Sequence, residues 1–268
     1  MLRTSFADLG LRLNDVDLSY PQRIVCRSLS FTVPPGEFTA IIGPNGCGKS
    51  TLLKALSRTL KPTQGNVTLD GVDLNRISAK AAAQRIAYLP QHPLAPDFLR
   101  VRDLVAKGRH PYHSLWQHWL PGDDDVVTRA MEATGVSPYS NQLMTEISGG
   151  QAQRVWIAMV LAQQTDYVLL DEPTSFLDLS HQIELLYLCQ DMRAAGRTVL
   201  AVLHDINQAA RYASHLVVMH EGKIVREGEA HAVLDSALMS SVFGIDAVIE
   251  QDSQTGAPMV AVRRRGLA

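Results

Sequence analysis

Phe38-Thr39-Ala40-Ile41-Ile42 reads as a short buried strand, and it runs without a break into Gly43-Pro44-Asn45-Gly46-Cys47-Gly48-Lys49-Ser50-Thr51. Beyond that loop the pattern predicts a helix to about Leu60, stopped by Lys61-Pro62-Thr63-Gln64-Gly65. A buried strand, a glycine-rich loop and a helix in immediate succession leave few folds open. The strand needs a sheet around it, and the helix must cover one face of that sheet. The loop fits G-x-x-x-x-G-K-[ST], and each residue type has a physical reason. Glycines let the backbone curl until successive N–H groups point at one anion. The helix N-terminus adds orphan donors and a positive dipole. Lys49 is placed to neutralise outer phosphates, and the Ser50 hydroxyl to ligate Mg²⁺.

The rest of the chain is read from its periodicity. Leu11 to Tyr20 and Leu29 to Val33 alternate as strands, and Val67 to Gly71 reads as an edge-type strand and turn. Ile86 to Leu89, Tyr167 to Leu170, Thr198 to Leu203 and His215 to Met219 are further strands, with helices predicted over Gln182 to Ala194 and Asp205 to Ala213. From His92 to about Ala162 the pattern is helical, with breaks at Pro111, Pro121-Gly122 and Pro138, and it reads as an inserted helical subdomain. Strands alternating with helices imply an α/β fold with a parallel sheet covered on both faces. The 268 residues carry 46% hydrophobic and 19% charged side chains, which excludes a disordered chain. A net charge of −2 argues against nucleic acid as a partner. The longest apolar run, Val155 to Ala162, is far short of the ~20 residues that span a bilayer, and Met1 to Asp8 lacks the apolar core of a leader. The cysteines Cys26, Cys47 and Cys189 are an odd set without metal spacing, which points to a reducing compartment.

Two strand ends carry chemistry. Asp171 closes an apolar strand, where a carboxylate can hold Mg²⁺, and its neighbour Glu172 is a general-base candidate for activating water. His204 closes another strand, on the sheet edge where ligands of such folds bind. Cys47, beside a helix N-terminus, is expected to have a depressed thiol pKa. His110, His113 and His118 could be read as metal ligands, but solvated histidines explain that spacing better. Arg263-Arg264-Arg265 could touch anionic lipid, against the plainer reading of a solvated tail.

In this order the elements resemble the nucleotide-binding subunits of ATP-binding cassette (ABC) transporters. The deciding segment is Ile147-Ser148-Gly149-Gly150-Gln151, similar to the family's LSGGQ signature although a bare Ser-Gly-Gly-Gln is also an ordinary helix cap. Gln91 matches the glutamine loop, Ser175-Phe176-Leu177-Asp178 the loop after the catalytic glutamate, His204 the switch histidine and Tyr20 the aromatic laid on adenine. Ile147 and Phe176 depart from the family's usual leucine and alanine; neither change removes a phosphate ligand.

The resemblance implies a P-loop NTPase (RecA-like) core with an N-terminal antiparallel β subdomain and an inserted α-helical subdomain, 92–162, within an ATPase domain over 11–228. Residues 229–268 form a C-terminal extension. It implies ATP and Mg²⁺, the metal held by Ser50, Gln91 and Asp171. It also implies a head-to-tail homodimer in which the phosphate loop of one chain and Ser148 to Gln151 of the other enclose each ATP. Partners would be integral-membrane permease subunits and a substrate-binding protein on the far side, with this chain peripheral on the cytoplasmic face of a bacterial membrane. Gly108-Arg109-His110-Pro111-Tyr112, Arg154 to Gln163, Thr174 to Gln182 and His204 to Ala213 look like the ferric-siderophore importers, with haem and vitamin B12 importers as close relatives. A soluble ABC ATPase outside transport is the remaining alternative.

Overall fold

The computed structural model describes residues 10–114 and 119–263. In chain order the elements begin with β1 (Leu11–Tyr20), β2 (Arg23–Thr32), β3 (Phe38–Ile42), α1 (Lys49–Leu56), β4 (Gln64–Leu69) and β5 (Val72–Asp73). Then come α2 (Ala79–Ala83), β6 (Ile86–Leu89), α3 (Val101–Ala106), α4 (Asp123–Ala133), α5 (Gly149–Ala162), β7 (Tyr167–Asp171), α6 (Leu179–Ala194) and β8 (Thr198–Val202). The chain ends through α7 (Ile206–Tyr212), β9 (His215–His220), β10 (Lys223–Gly228), α8 (Ala230–Val233), α9 (Ser236–Phe243), β11 (Ala247–Gln251) and β12 (Pro258–Val262).

Contacts divide the molecule into two compact units, Ile77–Val199 and the described residues of Met1–Arg76 with Leu200–Ala268. In the latter unit an antiparallel sheet has the order β2-β1-β4-β5. In β1 Leu11 and Leu13 face inward and, after an irregularity in register at Asp15 (φ 47°), so do Val16 and Leu18, with polar residues on the other face. A second sheet in this unit carries β10, β9, β3 and the end of β8 in that order. β3 is parallel to β9 with Ile41 opposite Val217, and the N–H of Leu203, just past β8, donates to Ile41 O. Every residue of β3 is buried, which is why its sequence is apolar rather than alternating. Leu52, Leu53 and Leu56 seat α1 in this unit's core.

The other unit pairs β6 parallel to β7, with Leu89 opposite Leu170. The N–H of Thr198, opening β8, donates to Asp166 O. Its helical core gathers Val101, Leu104 and Val105 of α3, Val127, Ala130 and Met131 of α4, and Val155, Ala158 and Ala162 of α5. Gly108 makes one close approach possible, because a Cβ there would sit 2.3 Å from Met159 O of α5.

Several expectations are corrected. α1 ends at Leu56 rather than near Leu60, because Arg58 turns into the left-handed region with φ 65°. The Val67 segment is no edge; β4 starts at Gln64 and lies between β1 and β5. Residues 92–100 are not helical, and the first helix after Gln91 starts at Val101. β2 reaches back to Arg23, and the tail beyond Gly244, without assigned structure from sequence, folds as the β11–β12 hairpin.

Candidate nucleotide-binding site

In the unit that contains β3, the loop from Gly43 to Gly48 is shaped by its glycines. Gly43 and Gly48 adopt φ of 151° and 114°, and a Cβ on Gly43 would lie 2.1 Å from Met219 O. The loop closes around Lys49, whose side chain is 5% exposed and whose Nζ donates to Gly43 O (2.8 Å) and Pro44 O (3.0 Å). From behind, the Gly222 N–H in the β9–β10 turn donates to Cys47 O at 2.9 Å. Gly48 caps α1 without a side chain, so no capping oxygen competes with an anion for the first-turn N–H groups. Tyr20 ends β1 with a half-exposed ring, and Lys54 Nζ stands 5.9 Å from its centroid. His204 is exposed just past β8, immediately before Asp205, which caps α7 by accepting from the Gln208 N–H.

In the other unit Asp171, 1% exposed, ends β7, and Glu172 follows with φ 53°. A left-handed non-glycine residue costs about 1–3 kcal/mol and is held only where its surroundings over-determine it. Gln91 supplies part of that hold, since its Nε2 donates to Glu172 Oε2 at 2.6 Å. Gln153 adds to it by donating to Pro173 O at 3.1 Å. Sequence alone did not reveal either contact; Gln153's only sign was its place two residues after the signature. Ser148 to Gln151 open α5 with a reciprocal cap: Ser148 Oγ accepts from the Gln151 N–H, and Gln151 Oε1 from the Ser148 N–H. A Cβ on Gly150 would lie 3.2 Å from Phe176 O, so the loop after Glu172 closes on the start of α5. At the end of that loop Asp178 caps α6. The His181 N–H, then the Ser180 and His181 side chains, hold its carboxyl down to about 2.

The expectation for Cys47 is overturned. The side chain is 5% exposed, and burial pushes its thiol pKa up despite the lowering effect of Lys49. Cys26 and Cys189 are also buried and free, raised by burial to about 11 and about 12. A raised pKa means little thiolate near neutral pH. Maleimide labelling of the native protein is therefore expected to be slow near neutrality and faster in alkali. Rapid labelling of Cys47 at neutral pH, seen by peptide mass spectrometry and lost in Cys47→Ser, would contradict the burial argument.

Of the three histidines weighed as metal ligands, His113 is held in a buried structural contact and His110 is exposed. His113 Nε2 lies 2.8 Å from Asp123 Oδ2, and Arg109 Nε donates to Asp123 Oδ1 at 2.8 Å. Arg109 also donates to Ala162 O and stacks 4.2 Å over Tyr112, whose hydroxyl donates to Gln163 O. Burial pushes the Asp123 carboxyl up, but the Leu120 N–H, His113 and Arg109 together bring it below its ordinary value. His118 lies outside the described residues. Among the described residues no group of three or more His, Cys, Asp or Glu side chains could hold a metal ion. Arg263 faces Asp246 at 3.8 Å, while Arg264 and Arg265 lie outside the described residues.

A glycine-rich loop before α1, acidic residues at and just after the end of β7 and a self-capped Ser-Gly-Gly-Gln turn are the features of a cassette-type nucleotide hydrolase. The ABC transporter family model matches residues 26–175, and the chain belongs to that family of ATP-hydrolysing transporter subunits. It is 47% identical over 251 residues to the ferric enterobactin transport ATP-binding protein FepC of Escherichia coli (strain K12), covering 93% of each chain. It is 41% identical to the iron(3+)-hydroxamate import ATP-binding protein FhuC of Bacillus subtilis (strain 168), again over 93% of each. A metal-chelate type ABC transporter in an inward-facing conformation superposes with a TM-score of 0.80 at 26% identity, over 96% of this chain and 98% of that one. The dimeric bacterial cassette MJ0796 gives 0.74 at 26% identity, over 82% and 98%. These neighbours share the P-loop α/β fold. Among the described residues no helix is long and apolar enough to cross a membrane.

Proposed function

We propose that this chain is the ATPase that powers a bacterial importer of ferric siderophores. It would work as a homodimer on the cytoplasmic face of the membrane, with integral permease subunits and a substrate-binding protein on the far side. The observation that carries the substrate is end-to-end likeness: relatives at 41–47% identity are named for ferric enterobactin, achromobactin and hydroxamate transport. A cobalamin import protein of Halobacterium salinarum is 38% identical over 94% of this chain, which keeps a vitamin B12 importer as the second reading. Haem is a third cargo to test. Purification of the membrane complex with its permease, followed by uptake of labelled ferric siderophore, haem and cobalamin, decides among them. Uptake of cobalamin or haem alone overturns the siderophore reading.

In the proposed cycle the backbone N–H groups of the 43–51 loop, which Pro44 lacks, and the Lys49 ammonium bind the phosphates, and Tyr20 takes the adenine ring. Ser50, Asp171 and Gln91 offer a hydroxyl, a carboxylate and an amide oxygen, an all-oxygen set suited to Mg²⁺. The metal's contribution when bound is to neutralise charge building on the phosphate oxygens. Glu172 orients and activates the attacking water, His204 contacts the γ-phosphate, and Ser148 to Gln151 of the partner protomer complete the site. Within the domain 11–228, the 92–162 segment would meet the permease.

The self-capping of α5 allows the trans role of Ser148 to be separated from its structural one. Aspartate serves as an N-cap as well as serine does. Ser148→Asp should therefore keep the wild-type melting temperature and bind ATP as a monomer. Its carboxylate would repel the γ-phosphate of the neighbouring chain, and steady-state hydrolysis should fall to background. Wild-type turnover in Ser148→Asp would reduce the signature turn to a helix cap.

A further inference from the structure

We infer that the C-terminal β11–β12 hairpin is a positioning element for His204, acting through α7; the inference rests on the reading of His204 as the residue that contacts the γ-phosphate. Seven residues make α7 too short to be stable by itself, so its placement must come from tertiary contacts. Part of the contact comes from buried Ala209, Ala210 and Tyr212. The rest comes from the hairpin. Asn207 Oδ1 accepts from the Val260 N–H at 2.7 Å, and its Nδ2 donates to Val260 O at 3.3 Å. An amide side chain thereby pairs with a strand residue much as a neighbouring strand would.

One turn further along the same face, Arg211 Nη1 reaches Asp252 Oδ2 at 3.2 Å. Asp252 is itself fixed, since it accepts from the Gln254 and Thr255 N–H groups in the hairpin turn. The hairpin thus holds α7 at successive turns, once through Val260 of β12 and once through Asp252 in the turn just past β11. The first hold lies three residues after His204, with only the Asp205 cap and Ile206 between. A shift of Asn207 is therefore transmitted to His204 through two residues of capped backbone. The phosphate loop and Tyr20 make none of these contacts.

The prediction is a selective loss of turnover. In the full-length chain, Asn207→Ala should lower kcat roughly 10- to 100-fold, the scale of a misplacement of about 1 Å at a reacting centre, with the KM for ATP unchanged. Asn207→Asp keeps the shorter bond to the Val260 N–H and should retain most of the rate. Asp252→Ala, which removes only the outer hold, should give a smaller loss of the same kind and tests the idea if Asn207→Ala melts early. Each variant is made again in a His204→Ala background, where the model requires no further loss of kcat because the positioned group is gone. Equal losses in both backgrounds, a changed KM at constant kcat, or full activity of Asn207→Ala and Asp252→Ala would overturn the inference. Wild-type turnover of His204→Ala alone would instead overturn the role of His204 and remove the footing of this inference with it.

Discussion

Glu172→Gln is expected to bind ATP with nearly wild-type affinity and to hydrolyse it about 10²–10⁴-fold more slowly, the usual cost of losing a general base. The substitution keeps an oxygen that can accept the Gln91 Nε2–H now made at 2.6 Å, and it does not alter the demand of the left-handed backbone at φ 53°. Lys49, Ser50 and the loop N–H groups are untouched, so the phosphates are still held. Intact binding with slow hydrolysis should accumulate the ATP-bound dimer. Size-exclusion chromatography in MgATP should then show a monomer-to-dimer shift for Glu172→Gln and a much weaker one for the wild type. Asp171→Asn should differ, because losing a buried carboxylate at the proposed metal site weakens the ATP-bound state itself. Hydrolysis by Glu172→Gln within a few-fold of wild type would move the base role to another group such as His204.

Lys49→Ala should lose nucleotide binding altogether, and with it hydrolysis and transport. Two losses combine. The ammonium proposed to bind the phosphates is gone, and the carbonyls of Gly43 and Pro44 lose the donor around which the loop closes. Both carbonyls are only partly buried and water can reach them, so each lost bond costs about 0.5–1.5 kcal/mol and a small drop in melting temperature should accompany the functional loss. The decisive measurement is the ATP-induced rise in melting temperature, which follows from binding to the native state only. That rise should be present in the wild type and in Glu172→Gln and absent in Lys49→Ala. A wild-type shift in Lys49→Ala would mean that the nucleotide sits elsewhere.

Local pattern carried the phosphate loop, the strand ends and the signature turn into view. The mostly apolar run Phe38 to Ile42, set directly before the glycine-rich loop, matches β3, and the apolar pattern from Leu11 to Tyr20 matches the bounds of β1 although a register irregularity between Leu13 and Val16 interrupts its alternation. Reading failed where structure is decided at a distance. Residues 92–100 contain Pro93 and Pro96, which remove helix donors, yet their apolar neighbours imitate a helical stripe. The β11–β12 hairpin is short, and one of its anchors, Asn207, lies 53 residues from Val260, so no window of sequence contains both. Gln91 and Glu172 are 81 residues apart and looked like independent motifs, although one holds the other. Cys47 went wrong for a related reason: its position by a helix N-terminus is local, but the burial that dominates its pKa is not.

The order in which a ribosome delivers this chain bears on when it can become a nucleotide-binding protein. β3, which leads into the glycine-rich loop, lies between β8 and β9, which begin 198 − 42 = 156 and 215 − 42 = 173 residues after it ends. At common elongation rates, the loop emerges roughly eight to thirty seconds before the strands that flank it exist. The 77–199 unit is one continuous stretch, and all of it except the opening residues of β8 is translated during that interval. A nascent polypeptide stalled before β8 would therefore display the glycine-rich loop without the neighbouring strands that flank β3.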